Sequence, residues 1–174
     1  MTDRLAAVIV AYSGRRAKSI PEAPLASLDA RVRDSLERLS PTEMVGAAAD
    51  GADLVVLEAA LSLTPPPVIH LVLSSDPEVF AEGSVAPEWR TRFDAALSAV
   101  RQRGGTTRSL SHDPGTATYR EANAVIFETA QVLAGGAEQL TVLLVANAGE
   151  GRMVEDLGQR ASMAGVPVVR IEPG

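Results

Sequence analysis

The chain has no cysteine, so disulfides, thiolate metal centres and cysteine nucleophiles are excluded. It has two histidines, His70 and His112, too far apart in sequence to spell a ligand motif. Aromatic residues make up 3% of the sequence, which argues against a protein that stacks nucleic-acid bases on aromatic platforms. Cations are outnumbered: 16 Lys and Arg stand against 22 Asp and Glu, a net charge of −6. That balance disfavours general binding to a phosphate backbone, while leaving room for a local basic pocket. No segment approaches the ~20 apolar residues that a spanning helix needs. The amino-terminal MTDRLAAVIVAYSG has an apolar run of only about seven residues and no cleavage pattern, so no signal peptide is expected and a cytoplasmic protein is. Neither G-x-G-x-x-G nor G-x-x-x-x-G-K-[ST] occurs, which excludes an ordinary dehydrogenase or P-loop nucleotidase. No G-x-S-x-G elbow supports a Ser-His-Asp arrangement.

What is present is a core. Hydrophobic residues make up 46% of 174 residues, enough for one domain spanning 1–174. Six runs read as strands: Leu5–Tyr12, Glu43–Ala49, Val68–Ser74, Thr106–His112, Leu140–Asn147 and Pro167–Pro173. The first, third and fifth are almost continuously apolar, the mark of parallel strands covered on both faces. Helical spacing falls between them. Ala52, Val55, Val56, Ala59 and Ala60 share one face; so do Trp89, Phe93, Ala96, Leu97 and Val100, and then Tyr119, Ala122, Ile126, Ala130 and Leu133. A last helix buries Val154, Leu157 and Ala161 and stops at Gly165, and the first is expected from Ser27 as its N-cap. The segment Ser19–Ala26 reads as a proline-bearing loop, longer than the usual ~2–6 residues. Strand alternating with helix predicts an α/β fold, Rossmann-like and doubly wound, with a mainly parallel sheet of five to six strands and helices on both faces.

Ligands of open α/β sheets bind outside the carboxyl ends of the strands, where helix N-termini present free N–H groups. Five segments are thereby selected: Ser13-Gly14-Arg15-Arg16, Ala47–Asp53, Ser74–Val85, Ser111–Asn123 and Ala146–Arg152. Arg15 and Arg16 are forked donors suited to phosphate, or equally a solvated loop. Adjacent side chains diverge in an extended turn, so one of the two is expected to point inward, and Arg15, nearer the strand, is favoured. Asn147, Gly149, Glu150 and Gly151 follow a buried strand and open a helix, where small residues let a ligand approach backbone amides. Asp50 and Asp53 at a helix start are explained by capping and the helix dipole without any function. Tyr119 and Asn123, four apart, share a face at another helix start. Glu58 reads as surface, within reach of a ribose, and His112 as a turn residue or ligand contact.

The segments GADLVVLEAAL, EVFAEGSVAPEWRTRFDAAL and YREAN, in that order, resemble the SLOG and TIR-like group of bacterial nucleotide-sensor domains. The places of that group's motifs are filled by Ser13-Gly14-Arg15-Arg16, by Gly51-Ala52-Asp53 with Glu58-Ala59, by Phe80, Ser84-Val85, Trp89 and Arg92-Phe93, and by Tyr119, Asn123 and Gly149–Gly151. The histidine of the first motif is absent, as is the P-G-G-x-G-T-x-x-E motif of the phosphoribohydrolases in the wider group. The resemblance implies a Rossmann-like domain that binds a nucleotide or nucleotide-derived ligand, as a sensor in signalling or defence, with Ser84 and Arg92 at or near the cleft. No cofactor and no metal are expected. The expected partners are a nucleotide-type small molecule and a second copy or an effector protein, with no nucleic acid and no membrane. Two other readings stand beside this one. The first is an N-glycosidic-bond hydrolase or transferase on a nucleotide or NAD-like substrate, using Glu58 or Glu150. The second is a protein-interaction domain with a degenerate pocket.

Overall fold

The computed structural model describes residues 6–111 and 118–174. Six strands form one all-parallel sheet: β1 (Ile9–Gly14), β2 (Glu43–Gly46), β3 (Val68–Leu73), β4 (Thr106–Ser109), β5 (Leu140–Val145) and β6 (Val168–Ile171). Their spatial order is β4-β3-β2-β1-β5-β6. The unbroken apolar character of β1 has a simple cause. Ile9 and Ala11 face one hydrophobic core, Val10 and Tyr12 the other, so successive residues are all buried. The same alternation runs through β5, where Val142 and Leu144 face one side and Leu143 and Val145 the other.

Among the described residues six helices cover the two faces: α1 (Glu22–Leu39), α2 (Ala52–Leu61), α3 (Pro77–Ser84), α4 (Arg90–Gln102), α5 (Tyr119–Ala134) and α6 (Arg152–Met163). One core packs α1, α2, α3 and α4 against the sheet, and the other packs α5 and α6. This is the expected Rossmann-like, doubly wound α/β architecture. Its edges are β4 and β6, with the β1, β3 and β5 runs inside.

Two helices differ from the expectation. α1 begins at Glu22, not after Ser27. Of the Ser19–Ala26 segment, Ser19 ends a 3₁₀ turn that begins at Ala17, and the residues from Glu22 onward are already the start of α1. Pro24 is accommodated there because an N–H in the first turn has no intrahelical partner to lose. Ser27 is no cap; its hydroxyl donates to the Pro24 carbonyl (3.1 Å). α3 forms within Ser74–Val85, which carried no helical reading, with Pro77 in its first turn. Trp89 precedes α4 in a 3₁₀ turn, yet its ring is buried beside Phe93 as the spacing implied. The stop read at Gly165 holds, since α6 ends at Met163 and Gly165 has φ +69°, and Gly135 caps α5 in the same left-handed conformation.

The topology sets where the sheet opens a crevice. From β1 the sheet grows outward through β2, β3 and β4, and then the chain crosses back to lay β5 on the other side of β1. The loops after β1 and β5 therefore diverge at the carboxyl edge and leave a crevice.

Candidate functional site at the carboxyl edge

The loop that follows β1 is locked onto the start of α2. Gly14 N–H donates to Asp53 Oδ1 (2.9 Å), and Ala52 N–H donates to the Arg15 carbonyl (3.0 Å). Gly51 makes this approach possible. It has φ +88°, and a Cβ there would stand 2.3 Å from the Ala17 nitrogen. Asp50 is the hub of the joint. It accepts two bonds from the Arg16 guanidinium (Nε 2.7 Å, Nη2 2.9 Å), one from Ala17 N–H (3.1 Å) and one from Ala86 N–H (2.8 Å). Burial alone would raise the Asp50 carboxyl; the guanidinium and the two backbone donors outweigh it and hold the group below the ordinary carboxylate value. The charge of Arg16 is thus already matched inside the protein.

Beside this joint lies a cleft of about 130 Å³. Its walls are the rings of Tyr12, Phe80 and Tyr119 with Ile126 and Met153, and the Asp53 carboxyl and the Ser13, Gly14, Arg16 and Asn123 positions also border it. Tyr12 is fixed by donating its hydroxyl to the Ala47 carbonyl (2.7 Å). Asn123 donates to the Met153 carbonyl (2.7 Å), which ties α5 to α6. Tyr119 is 46% exposed, and its hydroxyl is hydrogen-bonded to Ser84 Oγ, joining α5 to α3. Asp53 is buried at 7% exposure, and burial pushes its carboxyl up to about 7 against the opposing backbone bonds from Gly14 and Ala49. Asp50 and Asp53, three residues apart, therefore have opposite protonation behaviour.

A second, wider depression of about 450 Å³ adjoins the cleft at the start of α6. Gly149, Gly151 and Met153 border it together with Arg120 and Arg152 and with the carboxylates of Glu155, paired with Arg170, and Asp156, paired with Arg120 and Arg160. The N-cap residue of α6 is Gly151, which has no side chain to offer the first backbone donors of the helix. Arg15 runs toward this turn. Gly151 has φ +83°, a backbone conformation that favours glycine, and a Cβ there would come within 2.7 Å of Arg15 Cδ, so the side chain would have to shift. Arg15 Nε is buried without a hydrogen-bond partner. Met153 borders both spaces. A groove of similar size at the other end of the sheet, near Arg33, Ser40 and Thr64, lies where strands begin and gathers none of these features.

The thirteen sequence-derived site residues thus divide. Ser13, Gly14, Arg16, Asp53, Tyr119 and Asn123 meet on the cleft, with Ser84 reached through Tyr119. Arg15, Gly149 and Gly151 meet on the α6 turn. Asn147 and Glu150 bond to each other (3.3 Å) and border neither space. Arg92 is elsewhere: its guanidinium stacks 4.0 Å over the Trp89 ring and pairs with Glu58 (2.6 Å), which removes both from the cleft. His112 lies outside the described residues. The sequence reading missed Tyr12, Phe80, Ile126 and Met153 as cleft walls, because buried apolar positions carry no mark of the one face that stays unfilled. Among the described residues no group of three or more His, Asp or Glu could hold a metal ion, and no helix is long and apolar enough to cross a membrane.

Comparison with known proteins does not name a family: no family model and no curated protein matches the chain. Among solved structures, an Enterococcus faecalis V583 protein named for cellobiose-phosphate cleavage aligns at 14% identity over 93% of this chain and 66% of that one, with a TM-score of 0.25. A likeness that slight carries no argument about fold or activity.

Proposed function

We propose that the protein binds a nucleotide-type ligand at the carboxyl edge of the sheet and serves as a sensor or effector-linked binding domain. The observation that carries this reading is that two unlike spaces share Met153 in their linings: a ring-sized apolar cleft, and an open depression at the start of α6 beside which the Arg15 side chain runs. A ligand with a flat apolar end and an anionic end matches that pairing. The resemblance to SLOG and TIR-like sensor domains points the same way. Arg15, not Arg16, is the cation offered to the anion, since Arg16 is committed to Asp50. Calorimetric titration with a 5′-mononucleotide, its nucleoside and inorganic phosphate tests the reading. The mononucleotide should bind tightest and lose about tenfold in Arg15→Ala with no change in folding. Failure of every mononucleotide to bind rejects it.

One observation favours a second reading, N-glycosidic hydrolysis or transfer. Asp53 is a buried carboxyl on the cleft wall, held near neutrality, as proton-transferring carboxyls are. It would replace Glu58 and Glu150, which border no part of the cleft. Chromatography of the incubated nucleotide separates the two: an intact ligand supports the sensor, a released base the enzyme.

A further inference from the structure

We propose that the cleft admits a single six-membered heteroaromatic ring and turns away fused bicycles, so that the ligand's base is a pyrimidine or a pyridine and not a purine. The inference rests on the nucleotide reading above and adds the class of base.

Three observations carry it. The first is size. The cleft holds about 130 Å³, and an apolar cavity of about 150 Å³ takes up one benzene ring. A purine adds a second fused ring, beyond what a space of this size encloses. The second is the fixity of the walls. Tyr12 is pinned by its bond to the Ala47 carbonyl, and Ile126 belongs to the core between α5 and the sheet. Tyr119 is hydrogen-bonded to Ser84, which links α5 to α3. Met153 alone among the lining side chains is a flexible thioether, and it stands on the side that leads to the α6 turn, where the ribose and phosphate would continue. The third is polarity. Asp53 accepts backbone bonds from Gly14 and Ala49, and a carboxyl group with two donors still has lone pairs to offer. A ring N–H, an exocyclic amine or a carboxamide supplies the matching donor; purines carry such donors too, so this contact anchors the base while size and wall fixity choose the ring.

The experiment compares ligands that share a ribose 5′-phosphate and differ only in the ring. Uridine, cytidine and nicotinamide mononucleotides are titrated against adenosine and guanosine monophosphates, on the parent chain and on Tyr119→Ala. The parent should bind at least one single-ring nucleotide about tenfold or more tightly than either purine nucleotide, the penalty expected for overfilling a packed space. Which of the three binds distinguishes a pyrimidine from a pyridine ligand. Tyr119→Ala, which opens the clasp to α3, should narrow that ratio by raising purine affinity. Purine nucleotides that bind the parent as well as single-ring ones overturn this inference and leave the nucleotide reading standing. So does a Tyr119→Ala variant, folded by its melting curve, whose base preference is unchanged. If none of the five binds, both readings fall together.

Discussion

Asp50 and Asp53 show how one short turn sets two carboxyl groups to opposite tasks. Both sit at the start of α2 and both are nearly inaccessible. Asp50 faces a forked guanidinium and stays ionised, so the stability it contributes persists above the ordinary carboxylate range and is lost as the pH falls below it. Asp53 faces apolar rings, and burial pushes its carboxyl up to about 7 from 3.8. A carboxyl whose folded-state value is raised binds more protons folded than unfolded between those values. Its linkage therefore favours folding at low pH, and that contribution fades as pH rises toward 7. The slope per raised group is at most ~1.4 kcal/mol per pH unit. Asp53→Asn should remove this slope: thermal melts from roughly pH 4 to 8 should show the parent losing stability relative to the variant as pH rises. Parallel curves would mean that Asp53 is ionised throughout. The same residues answer what the cations after β1 do. Arg16 is a structural clamp on Asp50, and Arg15 is the one that reaches an open turn.

At the scale of elements, Trp89 and α4 show what local pattern can specify. The 3₁₀ turn Pro87–Trp89 directs the indole into the core shared with Phe93, and the Arg92 guanidinium covers its outer face. Trp89→Ala removes a ring that is 7% exposed and leaves a void beneath Arg92, which should cost roughly 3–5 kcal/mol. An unchanged denaturant midpoint would show that the helix does not depend on this anchor. The spacing of Trp89 and Phe93 made their burial legible in the sequence, as the solid apolar runs made β1, β3 and β5 legible. Long, strongly patterned elements declare themselves because every turn repeats the same signal. The start of α1 did not, because Pro21 and Pro24 imitate a loop and the first helical turn tolerates them. α3 did not either, since eight residues with one interior glycine fall below the length at which period can be read. For the site, polar residues near strand ends were visible. Whether each faced the cleft depended on long-range partners: Glu58 claims Arg92 across α2 and α4, and Asp50 claims Arg16 across 34 positions. No local spacing encodes such pairings.

At the scale of the molecule, the sheet should come apart from its rims. β1 is paired on both sides, with β2 over three residues and with β5 over six, and helices cover both of its faces. β4 pairs with β3 alone, and Thr106, Thr107 and Arg108 are exposed. Local opening free energies span from near zero to the global value, with few buried contacts marking the low end. Hydrogen exchange followed by mass spectrometry or NMR should therefore find the amides of Val10–Tyr12 and Leu143–Val145 exchanging only through global unfolding. The β4 amides bonded to β3 should exchange at least about tenfold faster. The comparison also probes assembly. An open parallel edge is a template for pairing with another chain, and β4 carries only Arg108 as a charge against that. If β4 amides are slow at high protein concentration and fast on dilution, a second copy covers this edge. If they are slow at every concentration, the assignment of β4 as the weak rim is wrong.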